Sequence, residues 1–162
     1  MNWGMVKYFN PKIDSFPEDP DLYADDELIY SLDLFRGIIG YPINISPVSG
    51  ALARFTGSDK SQHYAVGRKS TAIDVFCDCD ASIAFINAIS CGIWGGVGVY
   101  FDTMYRGIPH VMFHLDKRPV IDSRPVIWYR SHGKYFYLSD DNNCSKMINK
   151  LGGFKWTTFM RK

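Results

Sequence analysis

Thr71-Ala72-Ile73-Asp74-Val75-Phe76 is the stretch on which the fold turns. A β-branched and aromatic run of this length reads as a buried strand, and the single carboxylate inside it stands out. Asp80 follows as the cap of a helix whose apolar positions are Ile83, Phe85, Ile86 and Ile89, ending near Gly92. Val97-Gly98-Val99-Tyr100 makes the next strand, and the stretch from His110 through Val111, Met112, Phe113, His114 and Leu115 to Asp116 another. Residues 124–129 and 134–138 read as a hairpin around Ser131-His132-Gly133. Upstream, Asp25, Asp26 and Glu27 suit the positive end of a helix. Its apolar positions are Leu28, Leu32, Phe35 and Ile39, and Gly37 or Gly40 ends it. Tyr41-Pro42-Ile43-Asn44-Ile45 leaves that helix as a short strand. A last helix spans about 142–151 and stops at Gly152-Gly153. Helices first and last with adjacent strands between them predict an α+β fold: one domain over 1–162, with a mostly antiparallel central sheet flanked by helices.

Composition agrees. The 162 residues fit one domain and should bury roughly 70% of the unfolded surface. With 46% hydrophobic and 22% charged residues, a disordered tail, a collagen-like repeat and a coiled coil are excluded. The net charge of +1 gives no reason to expect a nucleic-acid partner. Charge is nevertheless uneven: residues 14–33 hold eight acidic groups and no Lys or Arg, while 117–162 hold ten basic groups against three acidic ones. These read as two solvated faces, or as a basic end for an anionic partner such as cell-wall polymer or a neighbouring subunit. Cys77, Cys79, Cys91 and Cys144 are too few for a disulfide framework and lack zinc-ribbon spacing, so reduced thiols are expected. Met1-Asn2-Trp3-Gly4 does not begin a signal peptide. Residues 81–101 carry no charge, but four glycines and Ser82, Asn87 and Ser90 argue against a membrane span.

Three residues in or beside these strands are of metal-ligating type: His63, Asp74 and His114. Two imidazoles and a carboxylate leave one position of a tetrahedral zinc open, as catalytic sites do. Side chains alternate along a strand, so His110, Met112, His114 and Asp116 share a face, as do Ala72, Asp74 and Phe76. Asp116 is then placed to orient a ligand imidazole, and His110 to donate to an oxyanion or shuttle a proton. The plainer readings are a loop histidine at 63, a core histidine at 114, a turn-capping carboxylate at 74, a surface histidine at 110 and a salt bridge at Asp116. His132 reads as a solvated turn residue, and Asp78 and Asp80 as helix caps.

Ser61-Gln62-His63, Gly67-Arg68 and Ala72-Ile73-Asp74-Val75 together resemble the Ser-x-His…Gly-x-Ala-x-Asp motif of the zinc D-Ala-D-Ala carboxypeptidases and related peptidoglycan peptidases. Gly96-Val97-Gly98-Val99-Tyr100 followed by Phe113-His114-Leu115-Asp116-Lys117-Arg118 resembles that family's second motif. The likeness runs over about 14–130. It implies Zn2+ held by His63, Asp74 and His114, with Arg54, Ser61 and Tyr100 as substrate contacts. It departs in two places. His63 and Asp74 lie eleven residues apart rather than seven, the extra ones falling around Gly67 and Lys69-Ser70-Thr71. Val111 stands where many members carry an acidic general base, so His110, Asp116 or Asp102 must serve as catalytic helper. The implied function is a zinc peptidase acting on peptidoglycan stem peptides. A bare catalytic domain without a signal peptide suggests a phage endolysin or virion-associated wall enzyme, located in the host cytoplasm or virion. The alternative is a structural tail- or capsid-associated protein that keeps the fold without turnover and partners other virion proteins.

Overall fold

The first helices begin where side-chain carboxylates meet backbone donors. The computed structural model describes residues 1–120, 124–139 and 141–153. After a short α1 (Pro20–Tyr23), Asp25 accepts from the Glu27 N–H at 2.9 Å and opens α2 (Asp26–Ile39). Gly40 closes it with φ of 72°, while Gly37 stays inside the helix. β1 (Ile43–Ile45) follows, then a long irregular segment, then β2 (Ala72–Cys77). Asp80 caps α3 (Ala81–Ser90) by accepting from the Ser82 N–H at 2.9 Å. The remaining elements are β3 (Gly96–Tyr100), β4 (Met104–Tyr105), β5 (Ile108–Pro109), β6 (Met112–Asp116), β7 (Val126–Ser131), β8 (Lys134–Tyr137) and α4 (Asp141–Gly153).

Six strands form one sheet in the order β1-β2-β6-β3-β7-β8. Every neighbouring pair is antiparallel except β3 with β7. The fold is thus α+β with a mostly antiparallel sheet, as the element order predicts. On one face Ile73, Val75, Phe113, Leu115, Val97, Val99 and Tyr129 form a single core with Leu28, Leu32 and Phe35 of α2, Ala84, Phe85 and Ala88 of α3, and Met147 and Leu151 of α4. The other face carries a smaller cluster of Phe76, Tyr100, Tyr105, Met112 and Trp128.

Besides β6 starting at Met112, which leaves His110 and Val111 ahead of the strand, two details differ from the sequence expectation. α3 buries Ala81, Ala84, Phe85 and Ala88, whereas Ile83 and Ile86 face outward at 39% and 59% exposure. The small residues form the stripe against α2 and β3, where close approach favours alanine over isoleucine. The second difference is the hairpin β4–β5, which was not expected. Arg106 and Gly107 turn it with φ of 52° and 80°, the same positive pair that His132 and Gly133 use between β7 and β8. All four cysteines are free. Among the described residues no helix is long and apolar enough to cross a membrane.

Candidate metal centre

Strand register assembles the centre. Asp74 of β2 lies opposite His114 of β6, and His114 lies opposite Gly98 of β3. His63 arrives from the irregular segment before β2. That segment is fastened to the strand by the Thr71 N–H donating to Gln62 O at 3.0 Å, and to its own start by the Arg54 N–H donating to His63 O at 2.7 Å. The residues that lengthen the His63-to-Asp74 spacing loop outward: Val66, Gly67, Arg68 and Lys69 are exposed, and Gly67 has φ of 71°. The longer spacing therefore leaves both side chains in place.

The three side chains meet. His63 Nε2 lies 3.2 Å from Asp74 Oδ1 and 2.9 Å from His114 Nδ1, and His114 Nδ1 lies 3.0 Å from Asp74 Oδ1. Ligands at 2.0–2.2 Å in tetrahedral array stand about 3.3–3.6 Å apart, so a small expansion of this triangle admits an ion. All three residues are buried, and they form the one potential metal-holding group of His, Cys, Asp and Glu among the described residues. The donor set fits a divalent metal.

The remaining polar atoms fix the rings. His63 Nδ1 faces Leu52 O at 3.4 Å and Nε2 faces Asp74 Oδ1 at 3.2 Å; both partners accept, so an ion taken up at Nε2 would leave the hydrogen on Nδ1, donating to Leu52 O. His114 Nε2 donates to Asp116 Oδ2 at 3.0 Å. Asp116 in turn accepts from Arg118 Nη2 at 2.6 Å and Nε at 2.9 Å, and the guanidinium lies 4.9 Å from the centre of the Trp128 ring. Asp116 therefore satisfies both of its readings, imidazole orienter and ion-pair partner. Glycine makes this possible. A Cβ on Gly98 would sit 2.7 Å from the Trp128 ring, and one on Gly96 would collide with the Asp116 carboxylate. The two glycines of β3 leave a cradle that neighbouring side chains cross to reach His114.

Electrostatics follows from burial and partners. Burial opposes ionisation of Asp74, but His63 and His114 outweigh it and hold its carboxyl well below the usual range. Burial disfavours charge on both rings. It wins at His63, whose pKa is lowered; at His114 the bonds to Asp116 and Asp74 win and the pKa is raised. Asp116 resists burial in the same way, its carboxyl held down to about 2 chiefly by the His114 bond.

The other expected site residues divide. Arg54 reaches the centre: its Nη2 donates to Asp74 Oδ2 at 3.4 Å, while 45% of the side chain remains exposed. Tyr100 stacks 6.5 Å from the His114 ring, and burial followed by the Asp74 charge pushes its hydroxyl pKa up. Ser61 caps its own turn, accepting from the His63 N–H at 3.3 Å. His110 packs edge-on against Phe76 and Tyr105, its Nδ1 donating to Val111 O at 2.9 Å. Asp102 accepts from Arg130 Nε at 2.8 Å and from the Gly133 N–H at 2.7 Å, which ties it to the β7–β8 turn. Val111 is buried in the helix-side core. His132 is exposed in its turn, and Asp78 accepts from Asn44 Nδ2 at 3.0 Å instead of capping α3. Sequence reasoning had Arg118 only as a salt-bridge neighbour of Asp116, and Trp128 only as one of six strand aromatics, without placing either at the centre. The signal for the first was its place two residues after Asp116; nothing local pointed to the second, which needs the parallel β3–β7 register to face Gly98. In comparisons with known proteins, no family model, no curated protein and no solved structure matches the chain.

Proposed function

We propose that the chain is a zinc-dependent peptidase that hydrolyses peptidoglycan stem peptides, as an endolysin or virion-carried wall enzyme of a phage. The carrying observation is the convergence of His63 Nε2, Asp74 Oδ1 and His114 Nδ1 within 3.2 Å of one another, in a chain that bears two peptidase-like motifs in order. A zinc ion held there supplies Lewis-acid polarisation of the scissile carbonyl and a water acidified to a pKa of about 7. The chain's own residues do the rest. Arg54 presents a half-exposed cation beside Asp74, suited to pair with a peptide carboxylate. Tyr100 keeps its proton and donates to developing negative charge. Asp116 holds the His114 ring in register. His110, on the same sheet face through its contact with Phe76, is the proposed proton donor to the reacting peptide.

A second reading is favoured by the carboxylates. Asp116 and Asp102 are both paired with arginine, and Val111 lies in the core where many peptidases of this type carry an acidic base. On that reading the domain binds metal as a structural virion component without turnover. Zymography on purified peptidoglycan, with and without chelator and with mass analysis of the fragments, separates the two. Chelator-sensitive release of stem-peptide fragments is expected. Stoichiometric zinc with no cleavage of any peptidoglycan tested would favour the structural role.

A further inference from the structure

The turn at residues 49–53 has its donors and its acceptors committed to different parts of the molecule. Apart from the Ala51 N–H, which turns back to Val48 O at 3.0 Å, its donors converge on Glu18. Oε1 accepts from the Gly50 N–H at 2.6 Å and the Ser49 hydroxyl at 3.4 Å, and Oε2 accepts from the N–H groups of Leu52 at 3.2 Å and Ala53 at 3.0 Å. Its carbonyls point the other way. Gly50 O accepts from Arg54 Nε at 2.9 Å, Ala51 O from the Asp74 N–H at 2.9 Å, and Leu52 O from His63 Nδ1 at 3.4 Å. Two successive peptide groups, 51–52 and 52–53, thus link one distant carboxylate to Asp74 and His63. Backbone N–H groups gathered in this way form an anion-binding nest, and bonds from them to a carboxylate are charge-assisted. Gly50 permits the shape: its φ is 86°, and a Cβ there would stand 3.0 Å from Arg54 Cγ.

We propose that Glu18 is a positioning residue for the metal centre. Its carboxylate orients the 49–53 turn so that the Leu52 carbonyl favours the Nδ1–H tautomer of His63, with Nε2 presented to the ion. The inference rests on reading His63, Asp74 and His114 as a metal site and is independent of peptidase activity. Glu18→Gln keeps the size of the side chain but replaces one acceptor oxygen with a donor, so two of the nest's bonds lose their partner. The test uses the full chain, with zinc titrated by calorimetry and with nitrogen NMR of labelled histidine in the zinc-free protein. Zinc affinity should fall about 10–100-fold, as it does when outer partners of ligands are removed. The tautomer balance of the His63 ring should shift away from Nδ1–H relative to the wild type, because the Leu52 acceptor loosens while Asp74 Oδ1 still accepts at Nε2, a change that general loosening of a folded chain does not produce. Wild-type affinity together with an unchanged His63 spectrum in Glu18→Gln overturns the proposal. Should that variant fail to fold, Glu18→Asp, which keeps the charge but shortens the reach, is read by the same two measurements, and no change in either overturns it. If the wild type binds no zinc, the metal reading fails by itself, and the His63 tautomer alone decides the role of Glu18.

Discussion

The two faces of the central sheet are made by the same strands and differ in what holds them together. Toward the helices, Ile73, Val75, Val97, Val99, Phe113 and Leu115 are packed at 0–2% exposure, and stability there follows from apolar area removed from water. On the opposite face Asp74, His114 and Asp116 are buried at 0–5% exposure, yet each would cost free energy without a partner. Each has one. The chain Asp74–His114–Asp116–Arg118 runs across β2, β6 and the residues after β6, and β3 contributes glycine so that the chain fits. An apolar face tolerates changes that keep volume, whereas a paired polar face depends on every member. Alternate residues of one strand should therefore answer mutation in different currencies.

The largest effect is expected from His114→Ala, which removes a ligand atom and should abolish stoichiometric zinc binding in a calorimetric titration. Asp74 keeps His63 and Arg54, and Asp116 keeps Arg118, so the stability cost should stay within the roughly 2–5 kcal/mol of a core deletion. Full stoichiometry in this variant would take His114 out of the ligand set.

Its neighbour on the other face supplies the counterpart. Leu115→Ala should lower the unfolding free energy in urea by about 2–5 kcal/mol, while the folded fraction binds zinc with wild-type affinity. Loss of zinc without loss of stability would show that the two faces are not separable.

Gly98→Ala comes next, with about 1–3 kcal/mol of overpacking against Trp128 and a change in tryptophan fluorescence as that ring moves. Unchanged stability and fluorescence would mean that the ring yields freely and that the cradle does not constrain it.

A fourth test uses pH. Burial alone would lower the His114 pKa, but the bonds to Asp116 and Asp74 raise it, so a metal must displace a proton held more firmly than on an ordinary imidazole. Zinc affinity should climb with pH through the histidine range and fall about tenfold per unit below it, about 1.4 kcal/mol for each unit. An affinity flat between pH 5 and 8 would detach His114 from binding. The smallest effect belongs to the outer side of α3, where Ile86→Ser should change stability by no more than about 0.5 kcal/mol.

Much of this architecture was legible from local signals. Asp25 and Asp80 start helices where carboxylates were expected to cap them, and Gly40 ends α2 because only a residue at ease with positive φ closes it cheaply. The alternation in β2 and β6 was enough to place Asp74, His114 and Asp116 on one face, because side-chain direction is a property of the extended backbone itself. Where packing partners decide, local reading fell short. Ile83 and Ile86 are more hydrophobic than the alanines beside them, but the distance between α3 and its neighbours selected the alanine stripe.

The sequence by itself determined the element order, the candidate ligand types and the face on which Asp74 and His114 lie, since each depends on residues close along the chain. The tertiary structure decided which groups touch. Arg54 meets Asp74 across 20 residues, His63 meets His114 across 51, and Glu18 reaches the turn beside them from 32 to 35 residues away. It also committed Asp102 to Arg130 and set Trp128 against Gly98, contacts that depend on how β3 and β7 pair. The division is physical: capping and alternation are fixed by bond geometry within a few residues, whereas these contacts exist only once the sheet register and the loop over β2 have closed.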